Sequence, residues 1–438
     1  MKTFVISLIF LIGLTPCYSQ TGGETGKKIP INLPTILKLA GANNLTIKQY
    51  NLLYHLSISA VAQAYEWYLP TVFVGPEAHF LQGANMNAMG LKVNDANQRE
   101  LWFGGGLATE WDFSNGIYNV MAKKQQSIAA KENTQAQRNN VILQAISDYY
   151  DLLTAQFQYM QLTNLLAQAD TISTQIKVQV DAGLRYESEY LLAQSSYSHI
   201  SIERTSAQVN YLEKSNALLS LLNIDTSAVM VSMDTGMEPL DLMKNITDTS
   251  LTNYTQYIAN RPEYKSMQAE LSSIQDQKKT VTVGLLMPKL YLGSAPDGVM
   301  GDFGSPYNST YRVDGALLWS IPIGLLAYKG ELKEYNDQIN IEQNGLDQFS
   351  NQVYLQVGNA RAQLILARDQ IQTATLALTE SKNALSQSIE REALGTVRPF
   401  EVFQSEEFYV QAEIDYLNSV SNFNKAQYNL YVAIGNNL

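Results

Sequence analysis

Two stretches of this 438-residue chain, 77–238 and 323–398, contain no proline, although twelve prolines stand elsewhere. Proline breaks helix interiors because it lacks the N–H and its ring clashes with the preceding turn. Its absence over such lengths leaves room for very long helices. Cysteine is reduced to Cys17 and histidine to His55, His79 and His199, each isolated from the others. Without neighbouring thiols or imidazoles no disulfide, zinc site or Cys-His pair can be assembled, and no cofactor or metal is expected. Basic residues are also short, 30 against 41 acidic, for a formal net charge of −11. That balance disfavours nucleic acid and anionic membrane surfaces as partners. Beyond residue 19 no uncharged apolar run approaches the roughly 18–20 residues of a transmembrane helix. A membrane role would have to come through strands.

The first 19 residues carry Lys2, an apolar run from Phe4 to Leu14 and small residues near Ser19, the pattern of a secretory leader. Processing near Gln20 would remove Cys17, and Pro16 just before that cysteine argues against lipidation. One enzyme-like string, Asp302-Phe303-Gly304, has neither the catalytic loop nor the Gly-rich phosphate loop that accompany it in kinases. No enzymatic activity is expected.

What is present is helical periodicity. Val141, Ala145, Asp148, Leu152, Ala155, Tyr159, Leu162, Leu166 and Ala169 step by fours and threes, with one polar exception. A second stripe runs beside it through Ile142, Ile146, Tyr149, Leu153, Gln156, Met160, Thr163 and Ala167. Four-three spacing is a coiled-coil seam, and two adjacent seams imply neighbours on more than one side, as in the wall of a cylinder. An ordinary helical bundle explains one wide stripe equally well. The span 116–182 predicts a helix of about 100 Å at 1.5 Å per residue. Segments 35–69 and 188–223 predict helices of half that length; 323–393, 250–287 and 400–434 follow the same scheme.

Strand patterns lie between the short and long helices. In 71–81, Val72, Val74, Pro76, Ala78 and Phe80 alternate with Thr71, Phe73, Gly75, Glu77 and His79. In 101–113, Phe103, Gly105, Leu107, Trp111 and Phe113 alternate with Trp102, Gly104, Gly106, Glu110 and Asp112, and 310–321 behaves alike. Segment 289–294 is shorter. Period-two patterning with an apolar outer and a charged inner face is the signature of a transmembrane barrel strand. Trp67, Trp102, Trp111 and Trp319 all fall in or beside these segments, as an interfacial aromatic belt would. Segments 82–100 and 295–309, rich in Gly, Asn and Asp, predict exposed loops at a rim. Four strands cannot close a barrel, and open edges are forbidden in lipid, so several chains would have to share one.

These features occur twice. Leu69-Pro70 answers Met287-Pro288, Trp111-Asp112-Phe113 with Gly116 answers Trp319-Ser320-Ile321 with Gly324, and Gly183 with Glu189 answers Gly395 with Glu401. The offsets are 218, 208 and 212 residues, which predicts an internal two-fold repeat. The domain map is a leader 1–19, an N-terminal extension 20–34, a first repeat 35–236 and a second repeat 237–438.

The order of Asn-rich helix start, Leu-Pro helix end, paired strands, Trp-x-Phe/Ile with a downstream Gly, long helix, Gly-rich turn and returning helix resembles the TolC-like outer-membrane efflux proteins. The resemblance extends from about Ile31 to Gly435, and Ala182-Gly183-Leu184-Arg185 is similar to the family's hairpin tip. It implies a mainly α fold with a small β part: long helical hairpins forming a periplasmic α-barrel, and four strands per chain given to a trimeric twelve-stranded β-barrel. It also implies a homotrimer in the outer membrane of a Gram-negative bacterium, set in outer-membrane lipid. That trimer would be the exit duct for a periplasmic adaptor and an inner-membrane transporter of RND or ABC type, in efflux or type I secretion. Carried over residue by residue, the resemblance puts Glu401 in an acidic ring at the periplasmic end, with Gln404 where a second acid is usual. Glu189 takes the acidic place after the first tip, and Arg398 its basic partner, one residue beyond the usual position, which Val397 fills. Gly183, Leu184, Arg185, Gly395, Thr396 and Val397 form the adaptor-docking tips. A periplasmic coiled-coil scaffold or adaptor that stays out of the membrane is the competing reading.

Overall fold

The computed structural model describes residues 27–86, 90–225, 227–234, 236–243, 253–301, 308–394 and 398–438. The leader 1–19, the string 302–304 and the tip residues Gly395, Thr396 and Val397 lie outside the described residues.

After a short strand β1 (Lys28–Ile31) come helices α1 (Leu33–Asn43) and α2 (Leu45–Ala64), then strands β2 (Thr71–Met86) and β3 (Lys92–Asp112). The 69-residue helix α3 (Phe113–Asp181) and its return α4 (Glu187–Leu221) follow, then strand β4 (Val229–Ser232). The order resumes with α5 (Tyr254–Asn260), α6 (Pro262–Lys278), β5 (Lys289–Gly301) and β6 (Asn308–Leu318), and ends with α7 (Ile323–Tyr328), the 64-residue α8 (Gly330–Ala393) and α9 (Pro399–Ala433).

The long and returning helices begin and end within a few residues of expectation. The single helices expected over 35–69 and 250–287 are each divided. At Asn44 the backbone leaves the helix, its side chain accepts from Ile47 N at 3.1 Å and donates to Leu221 O at 2.7 Å. An N-cap with a tertiary tie is worth more here than unbroken helix. Arg261-Pro262 makes the corresponding break, with Pro262 at the first helical position, where its missing N–H does no harm. The helix expected from 323 is interrupted at Lys329, whose left-handed backbone, φ +50°, ends α7 before α8 begins.

One sheet has the order β2-β3-β5-β6, antiparallel throughout, with β2 and β6 at its edges. The expected rim loops prove shorter than 82–100 and 295–309. Pairing continues to Met86↔Lys92, and β5 runs on to Gly301. Backbone pairing needs no apolar face, so the ladder outlasts the apolar alternation.

The helices form a wall with a matching order. Nearer the sheet α3 packs between α2 and α6, with α8 beyond α6; nearer the far end it packs between α4 and α9, with α8 beyond α9. Ser57–Ser127, Ser266 to Ala129 O, the Tyr159–Tyr211 stack and the Asp151–Lys425 ion pair join successive members. The first apolar seam is buried along its length, from Val141 and Ala145 through Leu152, Ala155 and Leu162 to Ala169. The second is buried only to Leu153, and Met160 is exposed.

A small parallel sheet explains that limit. β1 and β4 pair across the middle of α3, an arrangement the sequence patterns did not suggest for the extension 20–34. Ile31, Ile36, Leu222 and Met230 close a core there over Ile142, Ile146 and Tyr149. The Tyr149 hydroxyl donates to Asp234 and meets Ser232 Oγ at 3.1 Å; burial, then the hydrogen bond to Asp234, pushes this phenol well above its ordinary pKa. Asp148, the polar exception in the seam, accepts from Gln144 at 2.7 Å, and burial raises its pKa.

Candidate functional site

Two regions collect the residues singled out by sequence: the hairpin end and the sheet. At the first tip α3 closes in a Schellman turn, with Gly183 N donating to Val180 O and Leu184 N to Gln179 O, both at 2.9 Å. Gly183 has φ +71°, a conformation glycine adopts without steric cost. Leu184 then stands 77% exposed. Arg185 turns back: its Nε donates to Gln179 Oε1 and its Nη1 to Glu189 Oε2 at 2.6 Å. Glu189 lies in the first turn of α4, where the helix dipole favours an acid.

The second tip reaches the same carboxylate. Arg398 precedes Pro399 at the start of α9, and its Nη1 donates to Glu189 Oε1 at 3.2 Å. One buried-side carboxylate, 18% exposed, thus holds an arginine on each oxygen. Phe403 and Phe400 anchor the first turn of α9 against Leu165, Ala169 and Ile200. Glu401 and Gln404, on the other side of that turn, are exposed. Leu394 is as exposed as Leu184, and both are apolar.

In the sheet, register puts Val72, Val74, Phe103, Leu107, Trp111, Leu290, Leu292, Val313 and Leu317 on one face. Val74 is 79% exposed, and Val72, Phe103, Leu107, Val313 and Leu317 are exposed with it. The opposite face carries Glu110, Asp112, Lys289 and Tyr291. Lys289 lies 2.7 Å from Asp112 and 3.6 Å from Glu110, and Tyr291 donates to Glu110 at 2.9 Å. Asp112 also caps α3 by accepting from Asn115 N at 3.0 Å, so one carboxylate ties strand β5 to the longest helix.

The Trp102 backbone pairs with Glu77 in the β2–β3 ladder. Trp67, Trp111 and Trp319 gather at the end of the sheet that meets the helices. Trp111 Nε1 donates to Tyr68 O at 2.7 Å, and the Trp67 ring lies against Gly116 and edge-on to Phe113. Sequence reasoning missed Gln179, Lys289 and Tyr291. The four-residue spacing of Arg185 and Glu189 was the visible signal for the first tip; nothing in the short pattern of 289–294 pointed to the ion pair.

Strands open at both edges, at the head of helices about 100 Å long, define a TolC-like fold. No protein-family model matches the chain, and no curated protein does. Solved structures do. A membrane protein from Pseudomonas aeruginosa is similar with a TM-score of 0.76 and 16% identity, over 92% of this chain and 90% of that one. CusC, whose structures concern folding and transmembrane channel formation, gives 0.74 at 16% identity over 96% of each chain. The Campylobacter jejuni CmeC outer membrane channel gives 0.73 at 16% identity, over 92% of this chain and 85% of its own.

Proposed function

We propose that three copies of this chain form an outer-membrane exit duct that passively conducts substrates delivered by a periplasmic adaptor and an inner-membrane pump of RND or ABC type. One observation carries the reading: the sheet order β2-β3-β5-β6 and the wall order, from α2 and α4 to α8, leave both layers open on the same two flanks. On one flank Leu52, Leu53, Leu56, Leu191 and Ile202 are exposed, and on the other Ile341, Leu355, Leu366 and Leu376. Lipid forbids free strand edges, and only closure by copies of the chain removes them while covering both apolar flanks. Three chains give twelve strands, an even number large enough for a lumen.

The apolar sheet face then meets outer-membrane lipid, and the face of Glu110 and Lys289 meets water. Trp67, Trp111 and Trp319 belong to the periplasmic side of the aromatic belt. The helical wall becomes the periplasmic tunnel, and the repeats 35–236 and 237–438 supply one hairpin each. At the tunnel's closed end the Glu189–Arg398 contact holds the two hairpins together, and Glu401 forms the acidic ring, single because Gln404 is neutral. Leu184, with the second tip around Gly395, Thr396 and Val397, offers the docking surface for the adaptor.

The test is conductance. Full-length protein reconstituted in planar lipid bilayers is expected to give discrete ionic steps, and Arg398→Ala to enlarge them. A scaffold that stays out of the membrane would be removed from vesicles by salt and would conduct nothing.

A further inference from the structure

We infer that Arg185 is the standing partner of the gate carboxylate Glu189 and not part of the docking surface. The inference rests on the gate reading given above. Sequence groups Arg185 with Leu184 at the tip, but geometry separates them. Leu184 points outward, whereas the Arg185 side chain is 19% exposed and folded against its own hairpin.

The two arginines on Glu189 differ in kind. Arg185 lies four residues away, so its contact is made within one turn of chain and survives any separation of the hairpins. Arg398 comes from 209 residues away, on the second tip, with a side chain 64% exposed. When the tips part, the Arg398 contact is the one that breaks. Arg185 then keeps the carboxylate paired, and its second anchor on Gln179 fixes where that carboxylate sits. The rotamer freedom that Glu189 would lose on meeting Arg398 has been surrendered beforehand, which favours reclosure. A planar guanidinium can hold an amide oxygen and a carboxylate at once; an ammonium offers a point charge without that fork. Arg185 is therefore a positioning residue of the gate, acting through Glu189.

The experiment compares baseline conductance in planar bilayers for wild type, Arg185→Ala, Arg185→Lys, Arg398→Ala and the double alanine variant, all as full-length protein. Arg398→Ala is expected to leak most. Arg185→Ala should leak several-fold above wild type but less than Arg398→Ala, with Arg185→Lys between wild type and Arg185→Ala. The double variant should leak no more than Arg398→Ala alone, because Arg185 has nothing left to position. A wild-type baseline in Arg185→Ala beside a leaking Arg398→Ala overturns the inference, as does a leak in the double variant equal to the product of the two. A quiet Arg398→Ala variant defeats the gate reading itself, and this inference with it.

Discussion

Replacing Gly116 by alanine is expected to destabilise the protein, although the position lies inside a helix, where alanine is ordinarily the better residue. Gly116 sits in the second turn of α3 beneath the Trp67 indole. An added Cβ would stand 2.5 and 2.6 Å from Cε3 and Cε2 of that ring, and closer still to Cδ2. The ring cannot swing aside freely, since Phe113 and Tyr68 hold it edge-on with centroids at 5.7 and 6.0 Å. Helix propensity gives alanine up to about 1 kcal/mol over glycine. Overpacking a fitted site costs about 1–3 kcal/mol. The balance is a net loss of about 1 kcal/mol. Denaturant melts of the detergent-solubilised protein measure it, and a cycle with Trp67→Ala isolates the cause. In the Trp67→Ala background Gly116→Ala should become stabilising. A gain in the wild-type background, or the same effect in both, would refute the reasoning.

Other variants read different parts of the molecule. On the proposed exit-duct reading, Leu184→Asp should abolish export, scored as lost growth of host cells on a panel of toxic compounds, with trimer assembly retained. Arg261 is 8% exposed and donates to Val432 O, Ala433 O, Gln356 and Glu263. Arg261→Ala strands Glu263 and the last carbonyls of α9, at a cost of about 3 kcal/mol in denaturant melts. Glu270 is exposed on the helix surface, and partial desolvation by its neighbours, then the like charge of Glu342, raises its pKa modestly. The folded chain therefore holds this proton to higher pH than the unfolded one. The group's stabilisation is complete below about pH 4 and is lost as pH rises through the folded value. Glu270→Gln should accordingly raise the melting temperature at neutral pH and leave it unchanged below about pH 4.

The helices were legible because their signals are local. The proline-free span left room for α3, Gly183 marked its end and Pro399 the start of α9. The division at Asn44 was legible only in part: the Asn-rich start marks a helix beginning there, but the bond that fixes the break goes to Leu221 O, 177 residues away. The β1–β4 pair escaped notice for the same reason: four-residue strands have no period of their own, and their partners lie across the chain. At the tip, the matched spacing from Gly183 brought Glu189 to attention and the family resemblance Arg398, and the structure joins them at 3.2 Å. Arg185 reads from the sequence as a tip residue beside Leu184, while its four-residue spacing from Glu189 points to the ion pair that the structure forms at 2.6 Å.

The particle's mass decides whether one chain's open sheet is completed by others. Native mass spectrometry of the full-length protein, solubilised in mild detergent, should find three copies. A single chain, stable in solution with its β2 and β6 edges unpaired, would contradict the account.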